Sequence, residues 1–127
     1  MKYKSAIHYA DDGATVRVEP GRGDYDLAVT RDGRTEFVEV KTPNPDTQLS
    51  SRYWDRQMSE MNKKFDNADN VIREDAVLEV HTTKRASELE TAVGELEIMF
   101  DTRIKKNFGE VRIHSTNADT RVVTVDS

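Results

Sequence analysis

The feature that most constrains this chain is an Asp-Gly pair, Asp32-Gly33, between two short runs rich in β-branched and aromatic residues. Such a pair is typical of a tight β-hairpin turn, because glycine adopts a positive φ without strain. Counting outward from the turn places Asp26 directly opposite Glu39. Lys41 then lies on the same face as Glu39, since side chains alternate along a strand with a period of two. The turn therefore predicts a hairpin that gathers two carboxylates and an amine.

Two directly opposed carboxylates destabilise a strand pair, since their Cβ atoms lie only about 5 Å apart. A cation between the two charges removes this cost, so the hairpin predicts a divalent-metal site with a lysine beside it. The alternative reading is a solvated strand face, which is the usual setting of a Glu-x-Lys pair. Phe37 shares the face of Glu39, whereas Val38 and Val40 line the other face, and this pattern favours a strand buried on both sides.

Composition bounds the class of protein. The 127 residues suit a single domain that spans residues 1–127, and the 35% of hydrophobic residues are patterned rather than dispersed. The chain has no cysteine, which excludes disulfides, a thiolate zinc site and a cysteine nucleophile. No apolar stretch approaches the roughly 20 residues that a membrane span needs. We therefore expect no membrane span.

The charge of the chain limits its partners. With 24 acidic and 19 basic residues the formal net charge is −5. This balance argues against a high-affinity, non-catalytic nucleic-acid binder, whose affinity depends on neutralising phosphates. An enzyme that contacts nucleic acid through a local patch and a metal is still allowed. The stretch 1–5 lacks the apolar region of a signal peptide, and the sequence fits both a complete chain and a piece of a longer protein.

Periodicity and turn signals predict the order αβββαβαββ, an α/β fold with a mixed sheet flanked by helices. The predicted elements are a helix over 3–11, a strand over 15–19, hairpin strands over 25–30 and 35–42, a long helix capped by Asp46, Ser50 or Ser51, a strand over 76–82, a helix over 85–106, and strands over 110–114 and 121–125. The expected apolar faces of the helices are Ala6, Ile7 and Ala10; Trp54, Met58, Met61 and Phe65; and Leu89, Val93, Leu96, Phe100 and Ile104.

With Asp26 on one strand and Glu39-Val40-Lys41 on the next, between a short helix and a long one, the chain resembles the PD-(D/E)XK, or restriction endonuclease-like, nuclease superfamily. Its members share an αβββαβ core, and Tyr25-Asp26 stands where many of them have Pro-Asp. The resemblance covers about 3–82 and implies that the last helix and hairpin are a peripheral addition. Within the superfamily, the small size and the stretch 56–72 look most like the nuclease domains of contact-dependent growth inhibition toxins.

The resemblance implies roles for the residues at the hairpin. Asp26 and Glu39 would hold Mg²⁺, or Mn²⁺, together with a backbone carbonyl, expected to be that of Val40. Lys41 would position or deprotonate the attacking water, or stabilise developing negative charge; its protonation state is left open. Asp24 would face Lys41 and orient it.

The long helix after the hairpin would border the active site. Gln57 and Lys64, on or near its polar side, and Arg56 would contact substrate phosphate.

The chain departs from the family pattern at the first helix, where many members carry an acidic residue and this chain offers Lys4, Ser5 and His8 instead. Two alternatives stay open: Glu19, at the end of the first strand, supplies the missing acid, or the metal binds more weakly than is usual in the superfamily.

The resemblance implies a Mg²⁺-dependent endonuclease that cleaves DNA or tRNA, and a toxin effector as its context. It would act in the cytoplasm, delivered into a target cell as part of a larger secreted protein, with a cognate immunity protein as partner. Two alternatives stay open: a catalytically inactive module of the same fold that binds or assembles, and a viral or mobile-element nuclease that processes DNA. The sequence places His8, His81 and His114 on separate elements, as ordinary structural histidines, with His81 a distant candidate for a site role.

Overall fold

The structure is a computed structural model that describes residues 2–18, 25–68 and 71–125, and all side chains in these ranges except those of residues 2 and 3. Within these ranges, three helices and six strands follow one another in the predicted order. They are α1 (Lys2–Asp11), β1 (Thr15–Val18), β2 (Leu27–Arg31), β3 (Arg34–Lys41), α2 (Ser51–Asn67), β4 (Ala76–Thr82), α3 (Ala86–Thr102), β5 (Glu110–Ser115) and β6 (Ala118–Thr124), with a 3₁₀ turn over Arg73–Asp75 before β4. The α/β class with a mixed sheet is confirmed.

The six strands form one sheet in the order β1-β2-β3-β4-β5-β6. Strands β3, β4 and β5 run parallel to one another, whereas the outer pairs are antiparallel. The predicted hairpin register is confirmed, since Leu27 pairs with Val38 across the turn. Asp32 and Gly33 have φ values of 54° and 80°, the positive values that a two-residue hairpin turn requires.

Helices cover the two faces of the sheet unequally. Helix α1 packs Ala6 and Tyr9 on one face, against apolar side chains of β2, β3 and β4. Helices α2 and α3 cover the other face, and their contribution to the main core includes Trp54, Met58, Met61, Leu89 and Leu96. Because Glu39 and Leu78 pair across β3 and β4, Glu39 points to the α2–α3 face, whereas Glu79, one position further along β4, points to the α1 face.

Several predicted helix faces need correction. In α1, Tyr9 is buried and Ile7 is 62% exposed, because the helix packs the side that carries Ala6 and Tyr9 onto the sheet. The prediction that α3 extends to residue 106 is wrong. It ends at Thr102, so Ile104, expected in the core, is 101% exposed, and Phe108 is fully buried in its place.

Three further helix residues and one helix cap also differ from the prediction. Ala10 is exposed, whereas Phe65 and Val93 are only half-buried. Ser50 occupies the N-cap position of α2, as one of the three predicted candidates, but its side chain makes no capping hydrogen bond.

The last helix and hairpin are not peripheral. Strand β5 lies between β4 and β6, and Val111 and Ile113 are fully buried in the main core. Gly109 passes so close to Glu74 that a Cβ at this position would lie 2.8 Å from its carbonyl oxygen. Residues 86–125 therefore complete the sheet rather than decorate it. Within the part of the chain that the structure describes, no helix is both long and apolar enough to cross a bilayer.

Candidate functional site

Asp26 and Glu39 meet at the end of the hairpin, as the register predicts. Asp26 lies one residue before β2, and its Oδ2 accepts a hydrogen bond of 2.9 Å from the backbone N–H of Val40. Glu39 lies on β3 and is only 4% exposed. The two carboxylates are close enough for Asp26 to act directly on the protonation of Glu39.

Two lysines approach the buried Glu39 carboxylate from different elements. The Nζ atoms of Lys64 on α2 and Lys41 on β3 lie 3.2 Å and 3.5 Å from its Oε2. Its other oxygen, Oε1, is buried without a hydrogen-bond partner among the described residues. A buried oxygen without a donor is costly in a folded protein and calls for an explanation.

The protonation of Glu39 is balanced near neutrality. Burial raises its pKa to about 7, with the hydrogen bond and negative charge of Asp26 acting in the same direction. Lys64 and Lys41 lower the pKa but do not cancel these effects. The Glu39 carboxyl therefore releases its proton around neutral pH.

Lys41 keeps its positive charge. Burial by itself would lower its pKa, but the nearby carboxylates of Glu60 and Glu39 outweigh burial and raise it. The Nζ of Lys41 lies 3.0 Å from Glu60 Oε2. A lysine with a raised pKa carries its positive charge at neutral pH, and its ammonium can stabilise nearby negative charge.

A cleft of about 300 Å³ opens beside Glu39. Its described lining residues are Glu39, Lys41, Glu60, Lys63, Lys64 and Asn67, and Asp26 is not among them. Glu60, Lys63, Lys64 and Asn67 come from one side of α2, because residues three and four apart on a helix are neighbours. The sequence reasoning missed Glu60 and Asn67, although this spacing to Lys64 could have signalled them.

The remaining predicted site residues lie elsewhere. Gln57 is only 6% exposed, so its placement on or near the polar side of the helix is wrong: it belongs to the buried side of α2. Arg56 is exposed on α2 and does not line the cleft. Asp24 and Glu19 lie outside the described residues.

A second buried carboxylate lies on the opposite face of the sheet. Glu79, on β4, is 2% exposed. Its Oε1 accepts a hydrogen bond of 2.8 Å from the Tyr9 hydroxyl and lies 3.1 Å from His114 Nε2, and its Oε2 lies 3.1 Å from His81 Nε2. Burial alone would raise the pKa of Glu79, but hydrogen bonds from His114, His81, Tyr9 and Ser5 hold it well below its usual range. Sequence reasoning did not predict this network, since its members come from three elements, α1, β4 and β5.

Within the described part of the chain, neither Glu39 nor Glu79 belongs to a group of three or more side chains arranged to bind a metal ion. Across residues 2–18, 25–68 and 71–125, no group of three or more His, Asp or Glu side chains is arranged to hold a metal ion. Mg²⁺ usually keeps several of its water ligands, so one or two carboxylates are often the only side chains that bind it. Asp26 and Glu39 fit this donor set, and the unpartnered Oε1 of Glu39 is an oxygen still available to a cation.

Comparison of the chain with models of protein families, with curated proteins and with solved structures found no match. A function is therefore inferred from the contacts around Asp26 and Glu39.

Proposed function

We propose that this chain is a metal-dependent nuclease of the PD-(D/E)XK type, which hydrolyses phosphodiester bonds of DNA or tRNA. One observation carries the proposal: a buried carboxylate, Glu39, lies against a second carboxylate, Asp26, and one Glu39 oxygen has no donor among the described residues. A chain maintains such a costly pair most readily where a cation neutralises it. The αβββαβ order of the first six helices and strands and the parallel pairing of β3 with β4 agree with this superfamily's core.

Asp26 and Glu39 would hold Mg²⁺ or Mn²⁺, with the Val40 carbonyl as a third protein ligand. When bound, the cation would neutralise charge on the phosphate and lower the pKa of a water molecule. The protein positions the carboxylates in advance: the N–H of Val40 fixes the Asp26 side chain, and the sheet fixes Glu39. Cation binding would displace the proton that Glu39 retains near neutrality.

The ammonium of Lys41 would stabilise negative charge that develops on the phosphate. Glu60, whose carboxylate lies 3.0 Å from Lys41 Nζ, orients this ammonium, which is the role predicted for Asp24. Lys64 has access to the same cleft, where it and Lys63 would contact substrate phosphates. Three lysines and two glutamates line the cleft, so it offers phosphate a local positive surface on an acidic chain.

A toxin effector is the context that we propose, with a cognate immunity protein covering the cleft and its lysines. One observation favours a second candidate, a catalytically inactive module of the same fold. Lys41 and Lys64 both form ion pairs with Glu39, and the described residues contain no three-ligand metal group. An inactive module would use the lysine-lined cleft to bind an acidic partner.

The two candidates separate in a cleavage assay. Purified protein is incubated with supercoiled plasmid and with total tRNA, in Mg²⁺, in Mn²⁺ and in EDTA. We expect cleavage of one substrate that EDTA abolishes, and a loss of about 10³-fold in Glu39→Ala and in Lys41→Ala. Glu90→Ala, which removes an exposed carboxylate of α3, is the matched control and retains full activity.

Cleavage that survives both site variants would assign the activity to another site and refute the proposed roles. Absence of cleavage, together with no heat of Mg²⁺ or Mn²⁺ binding in calorimetry, would favour the inactive module.

A further inference from the structure

All three histidines of the chain line one cavity. The cavity has a volume of about 380 Å³ and lies on the α1 face of the sheet, opposite the face of Glu39. His8 comes from α1, His81 from β4 and His114 from β5. The interpretation of these residues as scattered structural histidines is therefore incomplete, since the fold brings every imidazole of the chain to one place.

The sheet register explains the convergence of two of them. His81 and His114 are direct partners across the parallel strands β4 and β5. Their rings stack with centroids 5.0 Å apart and planes inclined by 18°. Each Nε2 lies 3.1 Å from an oxygen of Glu79, so the buried carboxylate fixes both rings.

The cavity lies where an open α/β sheet usually binds a ligand, which is the crevice at the carboxyl ends of parallel strands. The three parallel strands β3, β4 and β5 end at its wall. The segments that follow or end these strands supply Thr42 and Pro43, Thr82 and Thr83, and Ser115 and Thr116. Helix α1 closes the cavity with Lys4, Ser5 and His8.

The lining combines flat apolar surfaces with basic groups and hydroxyls. The stacked imidazoles, Pro43 and Pro45 offer surfaces that suit a planar ring. Lys4 and His8 lie one turn apart on α1, where Lys4 supplies a positive charge and His8 an exposed imidazole. Glu79 is the one carboxylate among the described lining residues, and its oxygens face the donors named above.

The size of the cavity also constrains the ligand. A volume of about 380 Å³ lies in the range of small-molecule sites and is far larger than inorganic phosphate requires. His8 lies 3.6 Å from Asp12 in an exposed pair. Such pairs contribute little, so a ligand phosphate can compete for His8.

We propose that this cavity is a mononucleotide-binding site, with the base against the imidazoles of His81 and His114 and the phosphate at Lys4 and His8. The site lies on the other face of the sheet from Glu39, and the proposal does not depend on nuclease activity. A nucleotide would be held by stacking and by charge, the two interactions that this lining supplies.

The test uses the fact that every imidazole of the chain lines the cavity. Long-range ¹H–¹⁵N correlation spectra of the full chain are recorded during titration with AMP, GMP, CMP and UMP. Adenosine and inorganic phosphate are titrated separately. We expect saturable shifts of the His8, His81 and His114 signals with at least one nucleotide at about 1 mM. Adenosine and phosphate alone are each expected to bind at least fivefold more weakly than that nucleotide.

A charge-reversal pair provides the matched variants. Lys4→Glu removes the positive charge at the rim and is expected to weaken nucleotide binding about fivefold. Arg52→Glu makes the same charge change at an exposed site on α2, across the sheet, and leaves binding unchanged. Circular dichroism verifies that both variants are folded.

Saturable imidazole shifts that the Lys4→Glu variant alone weakens support the site. Shifts that do not saturate, or equal losses in the two variants, would overturn it. Phosphate binding as tightly as every nucleotide would likewise reject a mononucleotide site. If no nucleotide binds but Mg²⁺-dependent cleavage is observed, this site is refuted and the proposed nuclease function is not. If a nucleotide binds but no nucleic acid is cleaved, the nucleotide site is supported and the nuclease function is refuted.

Discussion

Two glutamates on neighbouring strands, Glu39 and Glu79, are buried to the same degree, at 4% and 2% exposure, yet ionise in opposite ways. Glu39 has a pKa raised to about 7, whereas the pKa of Glu79 is held well below its usual range. Burial opposes ionisation of both, so the neighbours decide the outcome. Glu79 is surrounded by hydroxyl and imidazole groups. Glu39 instead meets another carboxylate, and no side chain or backbone group in the described part of the chain donates to its Oε1.

The comparison shows that burial and charge state are separable. Donors from α1, β4 and β5 make Glu79 a permanent anion that fastens these elements together. The Asp26–Glu39 pair is instead unstable when fully ionised, and a cation would relieve it. Glu79 therefore stabilises the fold, whereas Glu39 is suited to a cation-binding site.

The largest expected effect is on stability at Glu79. Glu79→Gln removes the anion that Tyr9, His81 and His114 contact, and we expect the free energy of unfolding at pH 7 to fall by about 3 kcal/mol. Urea denaturation measures this change, with Glu39→Gln as the control of equal burial and equal chemistry. Because the folded pKa of Glu79 is depressed, its contribution is present above its unfolded pKa and disappears as the pH falls below about 4.5. A loss below about 1 kcal/mol, or an equal loss in both variants, would break the contrast.

Glu39→Gln should instead increase the free energy of unfolding at alkaline pH. The folded pKa of Glu39, about 7, lies above its ordinary value of 4.5, so the folded state retains a proton that the unfolded state has already released. The stability of the wild-type protein therefore falls as pH rises through this window, and the variant, which cannot ionise, escapes the fall. We expect the variant to gain about 2 kcal/mol over wild type at pH 8 and nothing at pH 4.

Urea denaturation at several pH values checks this gain. A variant that is less stable than wild type at pH 8 would mean that the two lysines, rather than Asp26 and burial, dominate at Glu39.

Mg²⁺ should have a smaller effect on stability, and this effect should depend on Glu39 and not on Glu79. A cation bound by Asp26 and Glu39 stabilises only the folded state, by about 1.4 kcal/mol when its concentration is ten times the Kd. Thermal unfolding at pH 8 with Mg²⁺, compared with the same ionic strength of NaCl, should show a rise in Tm for wild type. Glu39→Gln should show none, and Glu79→Gln should show the same rise as wild type. An equal rise in all three proteins would indicate binding at another place.

The smallest expected effect is at Lys64. Its positive charge lowers the pKa of Glu39, so Lys64→Met should raise that pKa further and move the loss of stability to higher pH. The change in the free energy of unfolding should stay below about 1 kcal/mol, since Lys41 still neutralises Glu39. A carboxyl ¹³C titration of Glu39 follows the pKa directly, with Lys105→Met as the exposed control. An unchanged or lower pKa would contradict the pairing.

How much the sequence could predict depended on whether a relation was local. The proximity of Asp26 and Glu39 followed from one turn, because the two residues are equally distant from it and a hairpin allows little else. The approach of Glu60 to Lys41 needed the rotation of α2 about its axis, which the sequence constrains only to within a residue or two. Gln57 shows the limit, since it was expected near the polar side and lies on the buried side.

The histidine cavity lay beyond local reasoning. His81 and His114 are partners because two parallel strands share a register, and parallel strands are joined through a long crossover that leaves no turn from which to count. Similarly, the end of α3 depends on tertiary contacts: Arg103 pairs with Asp55 on α2, and Phe108 fills the core that Ile104 was expected to fill.

By itself, the sequence determined the class of the fold, the order of its elements and the meeting of Asp26 with Glu39, since these follow from side-chain periodicity and one tight turn. Only the tertiary structure decided which buried carboxylate is charged, because ionisation depends on the donors that distant elements bring to it. It also placed three imidazoles, far apart in the chain, around one cavity, since strand register and helix packing are properties of the whole sheet.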